Sequence, residues 1–218
     1  MKKAIVLFSG GLDSTTLLYY VKNKGYNPVC LIFDYGQRHK KEIIQAKKIA
    51  ELTNSEYYVI KFKLNWSGSS LIDLKRKVPF HKISEIGKNR SLPSTYVHGR
   101  NTIFLSFAVS LAEAKNIKDI FIGANEVDFS GYPDCRKEYF SAWGKLLSSL
   151  GLKNKINIIA PFLKMSKKEI ICLGMKLKVP YNLTWSCYVG GSKPCGKCDS
   201  CILRRKGFRD AGFHDPLS

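Results

Sequence analysis

The sequence predicts an α/β protein built on an open, doubly wound, mostly parallel sheet. Short unbroken apolar runs recur along the chain, and each is followed by a polar loop and then by apolar residues at helical spacing. The alternation is kept up over most of the 218 residues. An unbroken apolar run is what a strand shows when helices cover both faces of its sheet, as they do in parallel sheets.

Residues 3–8 (KAIVLF) are the first such run and end in a Gly turn, after which residues 14–24 carry a helical pattern closed by Gly25. Residues 28–33 (PVCLIF) repeat the strand signature. A second helix follows over residues 40–52, with Ile43, Ile44, Ala46, Ile49 and Ala50 expected inward. Residues 57–62 (YYVIKF) give a third strand. The pattern is then lost from 63 to 100, a span whose length marks a functional loop or lid. Helical spacing returns over residues 101–114, where Ile103, Phe104, Phe107, Ala108, Leu111 and Ala112 are expected to form one broad apolar face. Residues 119–123 (DIFIG) are a fourth strand, 137–150 an amphipathic helix, and 156–160 a fifth strand ended by Pro161. Ser166 and Glu169 form a capping box that opens a helix reaching residue 178. In such a fold the crossovers are right-handed and ligands bind at the carboxyl ends of the strands. The length fits a main domain over residues 1–182 and a small carboxyl-terminal segment over 183–218.

With 44% hydrophobic and 12% aromatic residues the chain reads as globular. No apolar run approaches the roughly 20 residues that span a bilayer, and the apolar start breaks at Gly10, too early for a signal-peptide core. A cytoplasmic protein is expected, with no membrane partner. The net charge of +19 raises nucleic acid as a partner. The basic residues are mostly scattered Lys with no Arg-rich tract, which argues against direct nucleic-acid binding and for solvated faces.

The stretch FSGGLDSTTL, residues 8–17, follows the first strand. Gly10 and Gly11 let the backbone turn and approach a ligand, while the next N–H groups and the helix amino terminus concentrate positive partial charge. Ser9, Ser14 and Thr15 add hydroxyl donors, and Asp13 is suited to fixing the turn or helping to place a magnesium ion. The string is neither GxxxxGK[ST] nor GxGxxG. It resembles the SGGxDS loop of the PP-loop ATP pyrophosphatases, adenine nucleotide alpha hydrolase-like proteins that split ATP between its α and β phosphates. That resemblance assigns Phe8, Ser9, Gly10, Gly11, Leu12, Asp13, Ser14, Thr15, Thr16, Leu17 and Leu18 to nucleotide binding.

Of seven Cys, four crowd into Cx7CxxCxxC as Cys187, Cys195, Cys198 and Cys201. Four thiolates at these spacings close a tetrahedron around one Zn²⁺, and a set of four leaves no open position for water, so the metal is read as structural. Two disulfides and an iron–sulfur cluster are the weaker alternatives. Cys30 and Cys172 read as packing residues, whereas Cys135, in a polar loop, is placed to face the cleft.

Three stretches taken together, GRNTIFLSFA (99–108), IFIGANEVDFSGYPDCR (120–136) and the four-cysteine tail, resemble the 7-cyano-7-deazaguanine synthase family of queuosine biosynthesis. The resemblance implies a ligase acting on 7-carboxy-7-deazaguanine, ammonia and ATP with Mg²⁺, and a homodimer. Its catalytic candidates are Asp13, Ser14, Arg100, Asp128, Asp134 and Arg136. Asn101, which opens a helix beside Arg100, and Asp34, at the end of the second strand, join the nucleotide-binding candidates. Two other readings stand beside it: tRNA thiolation with Cys135 as the sulfur carrier, and a nucleic-acid-binding zinc ribbon.

Overall fold

The computed structural model describes residues 2–66, 68–86, 92–127, 132–152 and 155–218. Five strands form one sheet: β1 (Lys2–Leu7), β2 (Tyr26–Asp34), β3 (Glu56–Lys61), β4 (Asp119–Phe121) and β5 (Asn157–Ile159), in the order β3-β2-β1-β4-β5. Every pairing is parallel, and Ile5 of β1 lies opposite Val29 on one side and Ile120 on the other. The chain begins in the middle, winds outward to β3, then returns to the other side of β1. That reversal opens a crevice at the carboxyl ends of β1 and β4, where the strands diverge into separate loops.

Successive side chains of a strand point to opposite faces, and the central strand supplies both cores accordingly. Ala4, Val6 and Phe8 join the core beneath α1 (Leu12–Asn23) and α2 (Lys41–Leu52), together with Ile170 and Ile171 of a later helix, α5 (Lys167–Lys176). Ile5 and Leu7 join the opposite core beneath α3 (Arg100–Lys115) and α4 (Lys137–Ser149). Both cores are continuous, so each helix layer is fixed to the same sheet.

The inward faces differ from expectation at two positions. Ile44 is 52% exposed, because the first turn of α2 rises towards the cleft and only Ile43, Ala46, Ile49 and Ala50 reach the core. On α3 the buried line is Asn101, Leu105, Ala108, Val109 and Ala112. Phe107 is 38% exposed and lies at the rim near Phe33 and Phe62. The capping box forms as the sequence predicts: Glu169 N–H donates to Ser166 Oγ at 3.3 Å, and Ser166 N–H donates to Glu169 Oε2 at 2.7 Å.

No helix or strand forms among the described residues of 62–99. This segment is tied down by Arg38, whose N–H donates to Leu71 O at 2.8 Å and whose guanidinium donates to Ser70 O and Asp73 O. Among the described residues no helix is long and apolar enough to cross a membrane.

The tail contains a helix that periodicity does not predict, α6 (Asp199–Asp210). Phe208 enters the α1/α5 core and meets the Tyr181 ring edge-on at 5.2 Å. Arg204 and Asp215 are 5% and 7% exposed. The Arg204 guanidinium donates to Asp215 at 2.9 Å, to Thr184 Oγ1 at 2.7 Å and to Tyr181 O at 3.0 Å. Removing one partner of a buried, hydrogen-bonded pair strands the other charge. Asp215→Ala should therefore lower unfolding stability by about 3–5 kcal/mol, read as a shifted urea midpoint; an unchanged midpoint would show that α6 is not held this way.

Candidate active site

The glycine loop is built by a close approach of α2. Gly10 has φ +74°, and a Cβ there would sit 2.6 Å from Ala46 N and 2.8 Å from Glu42 O. Only glycine tolerates both the left-handed backbone and the contact. Inside the loop, Gly11 N–H donates to Ser9 Oγ at 3.3 Å, Ser14 Oγ donates to Gly11 O at 3.2 Å, and the two serine hydroxyls are 3.0 Å apart. No side chain caps α1, so the amides of its first turn are left for a ligand.

A cleft of about 260 Å³ opens over this loop. Phe8, Ser9, Gly11, Leu12, Asp13 and Ser14 line it, as do Arg100 and Asn101 from α3. The other nucleotide-binding candidates of the loop lie elsewhere. Gly10 faces α2. Thr15 and Thr16 are fully buried; the Thr16 hydroxyl donates to Leu12 O and meets Tyr181 OH, while the Thr15 hydroxyl has no partner among the described residues. Leu17 and Leu18 are core residues of α1. Once the chain enters the helix, these four positions are enclosed between the sheet and the elements packed around α1 and take no part in the cleft lining.

Asp13 reaches the cleft, but both its oxygens accept from Lys167 Nζ at 2.7 Å. Asp34 does not line the cleft; its carboxylate pairs with Lys40. Arg136 is exposed at the amino end of α4 and also stays outside. Asp128 lies outside the described residues. Asp134 sits behind the wall, buried, where its carboxylate accepts from Asn101 N–H at 3.3 Å and its carbonyl from Asn101 Nδ2 at 3.1 Å. It therefore orients the start of α3 and is not among the residues lining the cleft.

The charges in the cleft are few. Burial opposes the Arg100 cation, but the Tyr35 and Tyr132 hydroxyls and the Asp134 carboxylate around it raise its pKa above the ordinary arginine value. Its Nη1 donates to Tyr35 OH at 3.4 Å. Burial also lifts the Asp134 carboxyl, with Arg100 acting against that rise. Glu42, from the first turn of α2, lines the same cleft, and burial pushes its carboxyl up to about 7. Cys135 lines the cleft as expected, yet burial pushes its thiol up to about 12, so it is protonated at neutral pH.

Several of these residues give no signal in the sequence. Glu42 reads as an ordinary acid in a first helical turn and Lys167 as part of a capping sequence. Tyr35, Tyr132, and Trp185 with Tyr188 are brought together from three separate segments.

The four tail cysteines converge, with their sulfur atoms all within 4.8 Å of one another. Zn–S bonds of about 2.3 Å require tetrahedral edges of about 3.8 Å, and Cys195 and Cys201 Sγ are 4.0 Å apart. Backbone N–H groups of Cys195, Lys197 and Cys198 donate to Cys187 or Cys195 Sγ at 3.3 to 3.5 Å, as suits thiolate ligands. The knot touches the cleft through Trp185, whose N–H donates to Gly10 O at 2.9 Å.

The family model for the queuosine biosynthesis protein QueC matches residues 3–212. The chain is 50% identical over 219 residues to the 7-cyano-7-deazaguanine synthase of Thermoplasma volcanium, covering 99% of this chain and 90% of that one. It is 47% identical over 223 residues to the protein of the same name from Trichodesmium erythraeum, covering 99% of each. Among solved structures, one titled a predicted subunit of tRNA methyltransferase from Methanocaldococcus jannaschii aligns at 16% identity and TM-score 0.51, covering 99% of this chain and 90% of the other. A 4-thiouridine synthetase in complex with RNA and bound ATP aligns at 16% identity and TM-score 0.50, covering 97% of this chain and 51% of the other. The two solved structures share the fold alone. The family match spans the sheet, the glycine loop and the four-cysteine knot, and the chain belongs to the QueC family of queuosine biosynthesis proteins.

Proposed function

We propose that this chain is an ATP-dependent ligase that converts 7-carboxy-7-deazaguanine and ammonia into 7-cyano-7-deazaguanine. The observation that carries the reading is the meeting, in one cleft, of an uncapped helix amino terminus and a half-buried Arg100 set among aromatic side chains. The amides at the start of α1 hold the β and γ phosphates of ATP, where leaving-group charge develops. Arg100 pairs with the substrate carboxylate as a fork of donors. Tyr35, Tyr132 and Tyr188 offer flat walls for the heterocycle.

In the first round a carboxylate oxygen attacks the α phosphorus, the bond to the bridging oxygen breaks and pyrophosphate leaves. Ammonia then displaces AMP to give the amide. In the second round the amide oxygen attacks the α phosphorus of a second ATP and pyrophosphate leaves, and loss of AMP together with both nitrogen protons leaves the nitrile. Ser9 and Ser14 keep the loop in shape, while Asp134 positions Asn101 and so the amino end of α3. Magnesium travels on the triphosphate in this reading, because Asp13, the carboxylate expected to help place it, is occupied by Lys167. The four cysteines hold one structural zinc ion, which folds the segment that supplies Trp185, Ser186 and Tyr188 to the cleft.

Sulfur transfer through Cys135 is the less favoured chemistry, since a thiol held at about 12 supplies little thiolate.

Incubation with ATP, magnesium, ammonium and 7-carboxy-7-deazaguanine should yield the nitrile and two AMP per product by mass spectrometry; ADP in place of AMP would overturn the adenylation scheme. Arg100→Lys should raise the KM for the acid by roughly 10- to 100-fold, the loss of about 1.5–3 kcal/mol of charged hydrogen bonding, with ATP affinity little changed. Metal analysis should find one zinc per chain, lost in Cys198→Ser together with protection of residues 183–218 from protease. A variant that keeps its zinc would remove the knot from this account.

A further inference from the structure

Glu42 is a charged cleft residue to which the adenylation scheme gives no task. It stands on the first turn of α2, the turn whose backbone abuts Gly10, and so it reaches the cleft from the side of the phosphate loop. Among the described residues its carboxylate makes no hydrogen bond and no ion pair within 4 Å. The charged and titratable groups facing it are Arg100 from α3, Tyr35 beyond the end of β2 and Cys187 of the tail. The other acids near the loop are spoken for, Asp13 by Lys167 and Asp34 by Lys40.

The charge balance of the cleft then changes in a definite way as substrate enters. With the cleft free of ligand, the Arg100 cation and the Glu42 anion offset one another across it. A substrate carboxylate that takes the Arg100 guanidinium removes that balance and leaves one excess negative charge beside the phosphate loop. An unpaired anion in a water-poor site favours a small monocation, and the reaction consumes one. Ammonia is present at neutral pH almost wholly as ammonium, which has no lone pair to attack with.

We infer that Glu42 binds ammonium beside the acyl adenylate and removes its proton to release ammonia for attack. One proton passes from ammonium to the carboxylate. The freed lone pair of nitrogen forms the C–N bond, and the C–O bond to AMP breaks with its electrons going to the departing phosphate. Nitrogen sheds a second proton to water, leaving the neutral amide. Glu42 is thus a catalytic residue for the amidation half of the reaction and is dispensable for the adenylation half. The inference rests on the ligase reading above, and it requires the carboxylate itself, since an amide neither holds a cation well nor accepts its proton.

The test separates the two halves with wild type, Glu42→Gln and Glu42→Asp. Adenylation alone is read as exchange of labelled pyrophosphate into ATP, with 7-carboxy-7-deazaguanine and magnesium but no ammonium. Amidation is read as kcat/KM for ammonium. Glu42→Gln should keep exchange within about twofold and lose roughly 10²-fold or more in kcat/KM for ammonium, with Glu42→Asp intermediate. Hydroxylamine, a nucleophile that is neutral at the assay pH, should restore acyl transfer in Glu42→Gln, giving the hydroxamate at close to the wild-type rate. Loss of exchange in Glu42→Gln and Glu42→Asp alike, in protein whose thermal unfolding matches wild type, would assign Glu42 to nucleotide or magnesium and overturn the inference. An unchanged kcat/KM for ammonium would overturn it as well. Failure of the ligase reading itself looks different: wild type would then show no exchange dependent on the acid.

Discussion

The backbone contact between the glycine loop and α2 constrains everything around the cleft. At Gly10 the chain passes so near Ala46 and Glu42 that no side chain fits between them, and the peptide planes on either side are fixed as a result. That same residue offers its carbonyl to Trp185 N–H. Lys41, next in line on α2, lies 3.8 Å above the Trp185 ring and donates to Gly191 O and Ser192 O. Loop, helix and four-cysteine segment are thereby locked to one another at one corner. The start of α1 is held open because its surroundings, and not a capping side chain, determine its shape.

This arrangement gives the cysteine knot a consequence beyond local folding. A tail of 36 residues with few apolar side chains buries little surface of its own, and the cluster of Val78, Trp185, Cys187, Cys198 and Cys201 is small beside the two main cores. A metal ion held by the four cysteines would supply what that small core lacks. What it organises includes one wall of the cleft, since Trp185, Ser186, Tyr188 and Ser200 all line it. An ion bound at this point would govern the shape of that wall without entering the chemistry. The buried Arg204 and Asp215 pair secures the other end of the same segment.

The strands and most helices were legible in the sequence because a parallel sheet writes its burial into unbroken apolar runs, and each of the five runs became a strand within two residues of its expected limits at every end. Helix α6 escaped because its stability comes from Phe208, Arg204 and the neighbouring ligands, not from an apolar stripe. Faces were harder to read than elements. Ile44 and Phe107 satisfy helical spacing, yet they are 52% and 38% exposed. At the site, motif spacing located the loop but overshot into α1, where Thr15 to Leu18 turn inward. Asp34 and Arg136 have suitable chemistry in suitable loops, and only three-dimensional pairing reveals that the first answers Lys40 and the second faces solvent. Glu42 was invisible because a glutamate in a first helical turn is unremarkable until a cleft is found above it.

The pattern of paired and unpaired charge offers a way to tell scaffold from machinery here. Asp13, Asp34 and Asp215 each meet a basic partner in the folded chain, so they add order without adding reactivity. Arg100 and Glu42 are held in the same poorly hydrated cleft with no such partner at hydrogen-bonding distance among the described residues, an arrangement that costs stability. A fold tolerates that cost where a ligand completes the pairing. The two residues carry opposite signs and approach from opposite layers, α3 and α2, on either side of the place where the helix amino terminus would fix a phosphate. A carboxylate and a small cation drawn to these two positions would meet over the phosphate loop, which is the geometry that joining them requires. The same positions serve the second activation, because an amide oxygen can replace the carboxylate at Arg100 while the nitrogen that now belongs to the substrate stays beside Glu42. On this reading one site suffices for both rounds, and the amide need not leave between them.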